Sequence, residues 1–288
     1  MHLWDALIQG LLIGGRYTVT GLGLMLIFGV LRLVNLAHGE FVLIGGYLAY
    51  VVCGHTSLDP LLALPVVALL AAAGGWALHR GLLSRLTASG PDAPVVATFG
   101  IALLLQAAFS GLAGNDAKTL PASYADSGMS LLGVRVQTAY VIVFAVGAVC
   151  TAAVWWAIHH TRWGMAVRAS GRDPVVVGAV GIDVRALHAT VFALATGLAA
   201  IGGVMVGISS SFNPSAGASY LVFGFAVVVL GGLGNVSGMF FAALGVGVLQ
   251  AMATEVIGGE YRDLLVYLLL LLLLAFRPQG LMGKVVRA

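Results

Sequence analysis

The chain of 288 residues is 60% hydrophobic and 9% charged with a net charge of +3, and its mean hydropathy is +1.03; soluble domains carry about 25% charged residues. This composition excludes a soluble globular fold and leaves too few polar side chains for the convergent nucleophile, base and metal ligands of an enzyme. Apolar runs of bilayer-crossing length, roughly 17 to 25 residues, recur throughout, so residues 1–288 read as a single all-α transmembrane domain, a polytopic helix bundle.

The opening MHLWDALIQGLLIGG lacks a basic start and a small-residue cleavage site and carries Asp5, which predicts an uncleaved first span instead of a signal peptide. That span is expected from Leu7 to Val34 and runs into NLAHGE, Asn35 to Glu40, where an amide, an imidazole and a carboxylate interrupt an apolar stretch. The structural expectation is a helix break. Asn35 ends one helix, Gly39 allows the turn, and Glu40 enters the next helix in its first turn, where the dipole favours a carboxylate. The functional expectation adds that Asn35, His38 and Glu40 form a fixed polar junction beside a solute path. The following run, Glu40 to Cys53, offers about 21 Å of helix against a hydrocarbon core near 30 Å, so it crosses steeply or dips in and returns.

Further spans are expected at Pro60 to Leu78, Val95 to Ala113, Thr138 to Ile158, Ala186 to Ile208, Tyr220 to Gly234, Met239 to Ile257 and Leu264 to Phe276, giving eight or nine crossings. Glycine supplies 40 residues, about twice the usual share, and its place inside the apolar runs suits close helix packing in lipid. Cys53 and Cys150 lie far apart in apolar surroundings and are expected to be inert. Thr18, Thr20, Gln106, Thr196 and Gln250 are polar residues within spans, as readily explained by interhelical hydrogen bonds as by contact with solute. No internal repeat is visible by eye, and a degenerate inverted repeat of the kind common in transporters would escape such inspection.

Loop charge sets the orientation. Residues 159–185 hold Arg162, Arg168, Arg172 and Arg185, the segment after the third span holds Arg80 and Arg85, and the C-terminal tail holds Arg277, Lys284 and Arg287. These segments are expected in the cytoplasm, with the N-terminus outside and NLAHGE at the cytoplasmic end of the first span. Nucleotide motifs are missing: no phosphate-binding G-x-x-x-x-G-K-[ST] occurs. GGLGNVSG, Gly231 to Gly238, joins two apolar helices with no βαβ unit around it, which excludes a dinucleotide fold. His159 and His160 are adjacent and do not share a helix face as zinc-binding pairs do; they read as an interfacial cap. The 159–185 loop predicts a helix up to Asp173, a break at Pro174 and a second short helix through VVVGAVGI, either a solvated basic loop or a docking surface for a soluble partner.

Four segments, GLGLMLIFGVLRLVNLAHGEFVLIGGYLAY, RWGMAVRASGRDPVVVGAVGIDV, VLGGLGNVSGMFFAALGVGVLQ and RPQGLMG, resemble landmark segments of the permease subunits of branched-chain amino acid ABC importers. They stand in the family's order and spacing from about Gly10 to Gly283, and the wider group includes permeases for urea and short-chain amides. Arg16 departs from the pattern, which has a small or polar residue before Tyr17. The resemblance implies an ABC importer permease fold that is no enzyme, forming half the translocation path for branched-chain or other apolar amino acids in a bacterial inner membrane. It implies that residues 159–185 are a coupling loop touching an ATP-binding subunit, with Arg162, Gly164, Arg168, Ala169, Asp173 and Gly181 at its recurring positions. It likewise implies that Gly231, Gly232, Gly234 and Gly238 make a tight reversal between late spans. The implied partners are a second permease in a heterodimer, two ATP-binding subunits, an extracytoplasmic solute-binding protein and membrane lipid, with no nucleic acid. No cofactor is implied for this chain, since ATP is bound by the partner subunits. The alternative from another class, an autonomous secondary transporter or channel, would rest on membrane-embedded carboxylates, for which Glu40 is the one acid well inside an apolar region.

Overall fold

In the computed structural model the described residues are 3–87, 90, 92–277 and 280. Helix α1 (Leu3–Leu26) continues through a π turn (Ile27–Leu31) and is followed by α2 (His38–Thr56). Then come α3 (Pro60–Leu78), prolonged by a second π turn into α4 (Ser84–Leu86), and α5 (Asp92–Ala113). A hairpin of β1 (Gly128–Leu131) and β2 (Val134–Gln137) precedes α6 (Thr138–His160). The chain continues through α7 (Arg162–Ser170), α8 (Pro174–Ala179), α9 (Val184–Ser209), α10 (Gly217–Gly231), α11 (Val236–Val256) and α12 (Arg262–Phe276). Among the described residues seven helices are long and apolar enough to cross a membrane: α1, α3 with its extension, α5, α6, α9, α10 with the turn before it, and α11. The difference from the expected eight or nine lies in α2 and α12, of 19 and 15 residues.

Glycine sets how close the central helices come. A Cβ on Gly10 would stand 2.5 Å from the Cα of Val248, one on Gly14 2.6 Å from that of Leu244, and one on Gly15 2.5 Å from that of Phe144. Residues rising along α1 therefore meet residues falling along α11, so the two helices are antiparallel, while α6 lies on a neighbouring face. Helix α9 fills the remaining side of α1, with Phe192, Ala195, Ala199 and Met205 fully buried. In α5, by contrast, only Pro94 and Thr98 are buried.

The bundle has two distinct ends. At one lie the start of α1, the ends of α2 and α9 and the hairpin, whose Val134 and Val136 pack on Ile8 and Leu12. The hairpin went unread in the sequence; its turn residues Leu132 and Gly133 both have positive φ, 50° and 84°, the signature of a two-residue turn that matches strand twist. Asp59 caps α3 by accepting from the Leu61 amide at 2.8 Å and accepts from the Tyr124 hydroxyl at 2.9 Å, so burial and this bond push the Tyr124 phenol above its ordinary pKa. At the other end Gly29 touches Gly234, and Gly171 approaches the Gly29 carbonyl.

One arrangement occurs twice in opposite senses. Helix α1 spans, a loop returns, and α2 starts inside the bundle and runs back toward the hairpin end; α9 spans in the reverse direction, a loop follows, and α10 starts inside and runs toward the Gly29–Gly234 end. Each short helix is followed by a further span, α3 or α11. This is the discontinuous-helix pattern of inverted repeats in transporters.

Candidate functional site

NLAHGE sits deeper than its sequence position suggests. The helix ends at Leu31, not at Asn35, because Arg32 takes a left-handed conformation with φ 50°, and the chain then turns back along α1. His38 Nε2 lies 2.8 Å from the Thr20 carbonyl oxygen, eleven residues and about 17 Å before the helix end at Leu31. Residues 32–37, if extended, reach about 20 Å, enough for that return. The expected place at the end of the first span is therefore corrected: the motif re-enters the bundle because its polar groups find partners there.

Those partners fix the loop. Asn35, fully buried, turns its Oδ1 onto the Ala37 amide at 3.1 Å, and the Leu36 amide donates to Thr98 Oγ1 of α5 at 3.2 Å. A carbonyl can only accept, so His38 Nε2 carries the proton and Nδ1 is the bare nitrogen. Among the described residues, Asn35 Nδ2, His38 Nδ1, Glu40 Oε2 and the Tyr47 hydroxyl are buried without a hydrogen-bond partner, a concentration that native interiors seldom tolerate without a role.

Glu40 stands in the first turn of α2, and its carboxylate lies against Gly217, the first residue of α10. Gly39 faces the Gly217 carbonyl. Two helix starts thus meet at one carboxylate, each directing the positive end of its dipole inward. Tyr47, about two turns further along α2, stacks on Phe109 at 4.7 Å between ring centroids and packs edge-on to Phe212 at 5.1 Å. Chemically the junction offers a fixed carboxylate, an imidazole acceptor and a phenol, all buried.

The coupling-loop residues gather at the Gly29–Gly234 end. Arg168 donates to the Ile158 carbonyl, and Gly164 leaves no room for a Cβ beside the last turn of α6. The Ala169 carbonyl accepts from the Arg172 and Asp173 amides, both at 3.0 Å. Asp173 caps α8 by accepting from the Val175 and Val176 amides at 2.9 and 3.1 Å, so Pro174 begins the second helix instead of merely breaking the first. Gly181 takes φ 87°, and Arg162 is exposed. Val175, Val176 and Val180 are 78, 59 and 72% exposed, an apolar ridge that sequence periodicity did not reveal.

The reversal glycines divide by cause. Gly232 and Gly234 have φ 92° and 77°, a left-handed backbone that suits glycine, whereas Gly231 and Gly238 touch each other across the turn. Asn235 caps α11 through the Gly238 amide at 3.0 Å. Of the other polar residues, Thr18 and Thr196 bond backbone carbonyls of Gly14 and Ala71 at 3.0 and 3.2 Å, and Thr20 turns onto Arg16. Gln250 accepts from the Tyr17 hydroxyl and donates to Asp263 at 3.0 Å, tying α1, α11 and α12. Gln106 is partly buried. Cys53 and Cys150 are free thiols, and His159 donates to the Trp155 carbonyl at 2.8 Å. Lys284 and Arg287 and most of RPQGLMG lie outside the described residues.

Comparison with known proteins agrees with this architecture. The family described as "Branched-chain amino acid transport system / permease component" matches residues 6–274. Relatives include the high-affinity branched-chain amino acid transport system permease protein BraD of Pseudomonas aeruginosa, 28% identical over 98% of this chain and 96% of that protein. The permease protein LivH of Salmonella typhimurium is 24% identical over 99% and 96%, and the fructose import permease protein FrcC of Rhizobium meliloti is 31% identical over 47% and 39%. No solved structure matches. With seven apolar helices long enough to cross a membrane and a family match over nearly its whole length, the chain is a multi-pass membrane protein that belongs to the permease components of branched-chain amino acid transport systems.

Proposed function

We propose that the chain forms half of the translocation path of an ATP-driven importer for branched-chain or other apolar amino acids. The observation that carries this reading is the end-to-end likeness to high-affinity branched-chain amino acid permeases; the sugar permease aligns over less than half of the chain. The second half of the path is a different permease subunit, and a solute-binding protein delivers the amino acid. ATP is bound by two partner subunits, and this chain needs no cofactor.

The end bearing α7 and α8 docks an ATP-binding subunit. Its ridge of Val175, Val176 and Val180 is apolar and exposed, flanked by Arg162, Arg168 and Arg172, and Gly171 abuts Gly29, a mechanical link from the dock to the end of α1. Charge supports the orientation. Arg32, Arg80, Arg85, Arg162, Arg168, Arg172, Arg185 and Arg277 lie at this end, against Lys118, Arg135 and Arg262 at the hairpin end, the bias expected of a cytoplasmic face. Asn35, His38 and Glu40 then form the inner wall of the path, where two discontinuous helices meet.

Reconstitution of the permease pair with and without its ATP-binding subunits tests the reading. Uptake of L-leucine is expected only with ATP, the ATP-binding subunits and the solute-binding protein together; ATP-insensitive uptake by this chain alone overturns it.

A further inference from the structure

Arg16 lies within α1, thirteen residues and about 20 Å from Leu3, in a segment apolar enough to span the membrane. A charged side chain at such depth persists where it has a partner or a task. Its guanidinium has five N–H donors; one donates to Ser210 Oγ at 3.3 Å, and the group stands 5.5 Å from the Tyr17 ring centroid. Tyr140 and Tyr220 also lie within electrostatic reach. Among the described residues no carboxylate lies within ion-pair distance of Arg16.

The serine that accepts from this cation borders open space. Ser210 belongs to the run Ser209, Ser210 and Ser211 that lines a cavity of about 530 Å³ at the hairpin end, together with Gln137 and Asp126, a size suited to a small solute. Arg16 itself keeps part of its surface accessible. By comparison, Arg168 spends its guanidinium on a backbone carbonyl at a helix end, the behaviour of a structural arginine. The planar fork of Arg16, engaged by Ser210 and the neighbouring Tyr17, has five donors, enough to spare two for a carboxylate in parallel hydrogen bonds.

We propose that Arg16 is the anion subsite of the transport path, its free donors taking the α-carboxylate of the amino acid as it passes from the serine-lined cavity toward the junction at Glu40. The assignment rests on the amino acid reading above and adds to it a carboxylate contact particular to this chain, since Arg16 stands where the family pattern has a small or polar residue.

The test is equilibrium binding of radiolabelled L-leucine to the purified complete importer, with competition by isocaproate, which keeps the carboxylate and lacks the amine, and by L-leucinamide, which lacks the carboxylate. Binding to the transporter is separated from that to the solute-binding protein by omitting the latter, and uptake in proteoliposomes is measured in parallel with all components. In the wild type, isocaproate is expected to displace leucine and leucinamide is not. Arg16→Gln is expected to weaken leucine binding by about tenfold or more and to abolish the discrimination. If that variant does not assemble, Arg16→Lys decides: it is expected to keep rejecting leucinamide, and equal displacement by both competitors overturns the assignment. Unchanged affinity in Arg16→Gln, with leucine uptake intact, overturns the Arg16 assignment alone. A wild-type importer that neither binds nor takes up leucine overturns the amino acid reading and the subsite with it.

Discussion

A Cβ on Gly217 would stand 2.5 Å from the Cδ of Glu40, closer than any real Cβ contact, so two residues 177 positions apart are fitted to one another at the start of α10. Replacing Gly217 by Ala must push the carboxylate aside or spread α2 from α10. The expected cost is about 1–3 kcal/mol, seen as a lower midpoint in thermal unfolding of the purified complex, together with reduced uptake. Glu40→Ala acts differently, because it removes the carboxylate and leaves both backbones in place. Uptake is expected to fall more than assembly, measured as transport per permease pair recovered by size-exclusion chromatography; equal losses in both would leave Glu40 only a structural role. The two variants separate the fit of the junction from its chemistry.

Among the elements, α8 carries the clearest division of labour. Asp173 and Pro174 start this six-residue helix, Val177 is buried against the bundle, and Val175, Val176 and Val180 face outward. Val176→Asp puts a charge on the outward ridge without touching the buried contact. It is expected to lower co-purification of the ATP-binding subunits and to lose stimulation of ATP hydrolysis by loaded solute-binding protein, while the permease pair still forms. The same helix illustrates what sequence can and cannot reveal. Long apolar runs fix the spans within a few residues, since burying them in lipid depends on length and composition alone, and Pro174 marks a boundary because proline lacks an amide donor. Depth is another matter. NLAHGE reads as an interfacial break because polar residues between apolar runs ordinarily meet water, and nothing local in the chain tells that Thr20 and Thr98 will offer partners inside. The ridge on α8 was hidden likewise, because VVV has no periodicity until a cap and a neighbouring helix decide which valine is buried.

For the molecule as a whole, the two arrangements of span, return and short helix run in opposite senses, so the bundle presents different faces to the two sides of the membrane while its two helix starts meet between them. Such a plan makes orientation and mechanism inseparable: the cavity beside Ser210 serves uptake only if the hairpin end faces the solute, and the valine ridge serves coupling only if the α8 end faces ATP. Among the described residues, eight arginines at the α8 end against three cations at the other favour that orientation. The check uses a chain whose Cys53 and Cys150 are replaced by Ala, with one new cysteine at Leu132, 73% exposed in the hairpin turn, or at Val180, 72% exposed beside α8. In intact spheroplasts a membrane-impermeant maleimide is expected to label Leu132→Cys and to spare Val180→Cys, and inside-out vesicles are expected to reverse the result. Labelling of Val180→Cys from outside would put the cavity in the cytoplasm, where no external binding protein could deliver to it, and would end the importer reading at both faces at once.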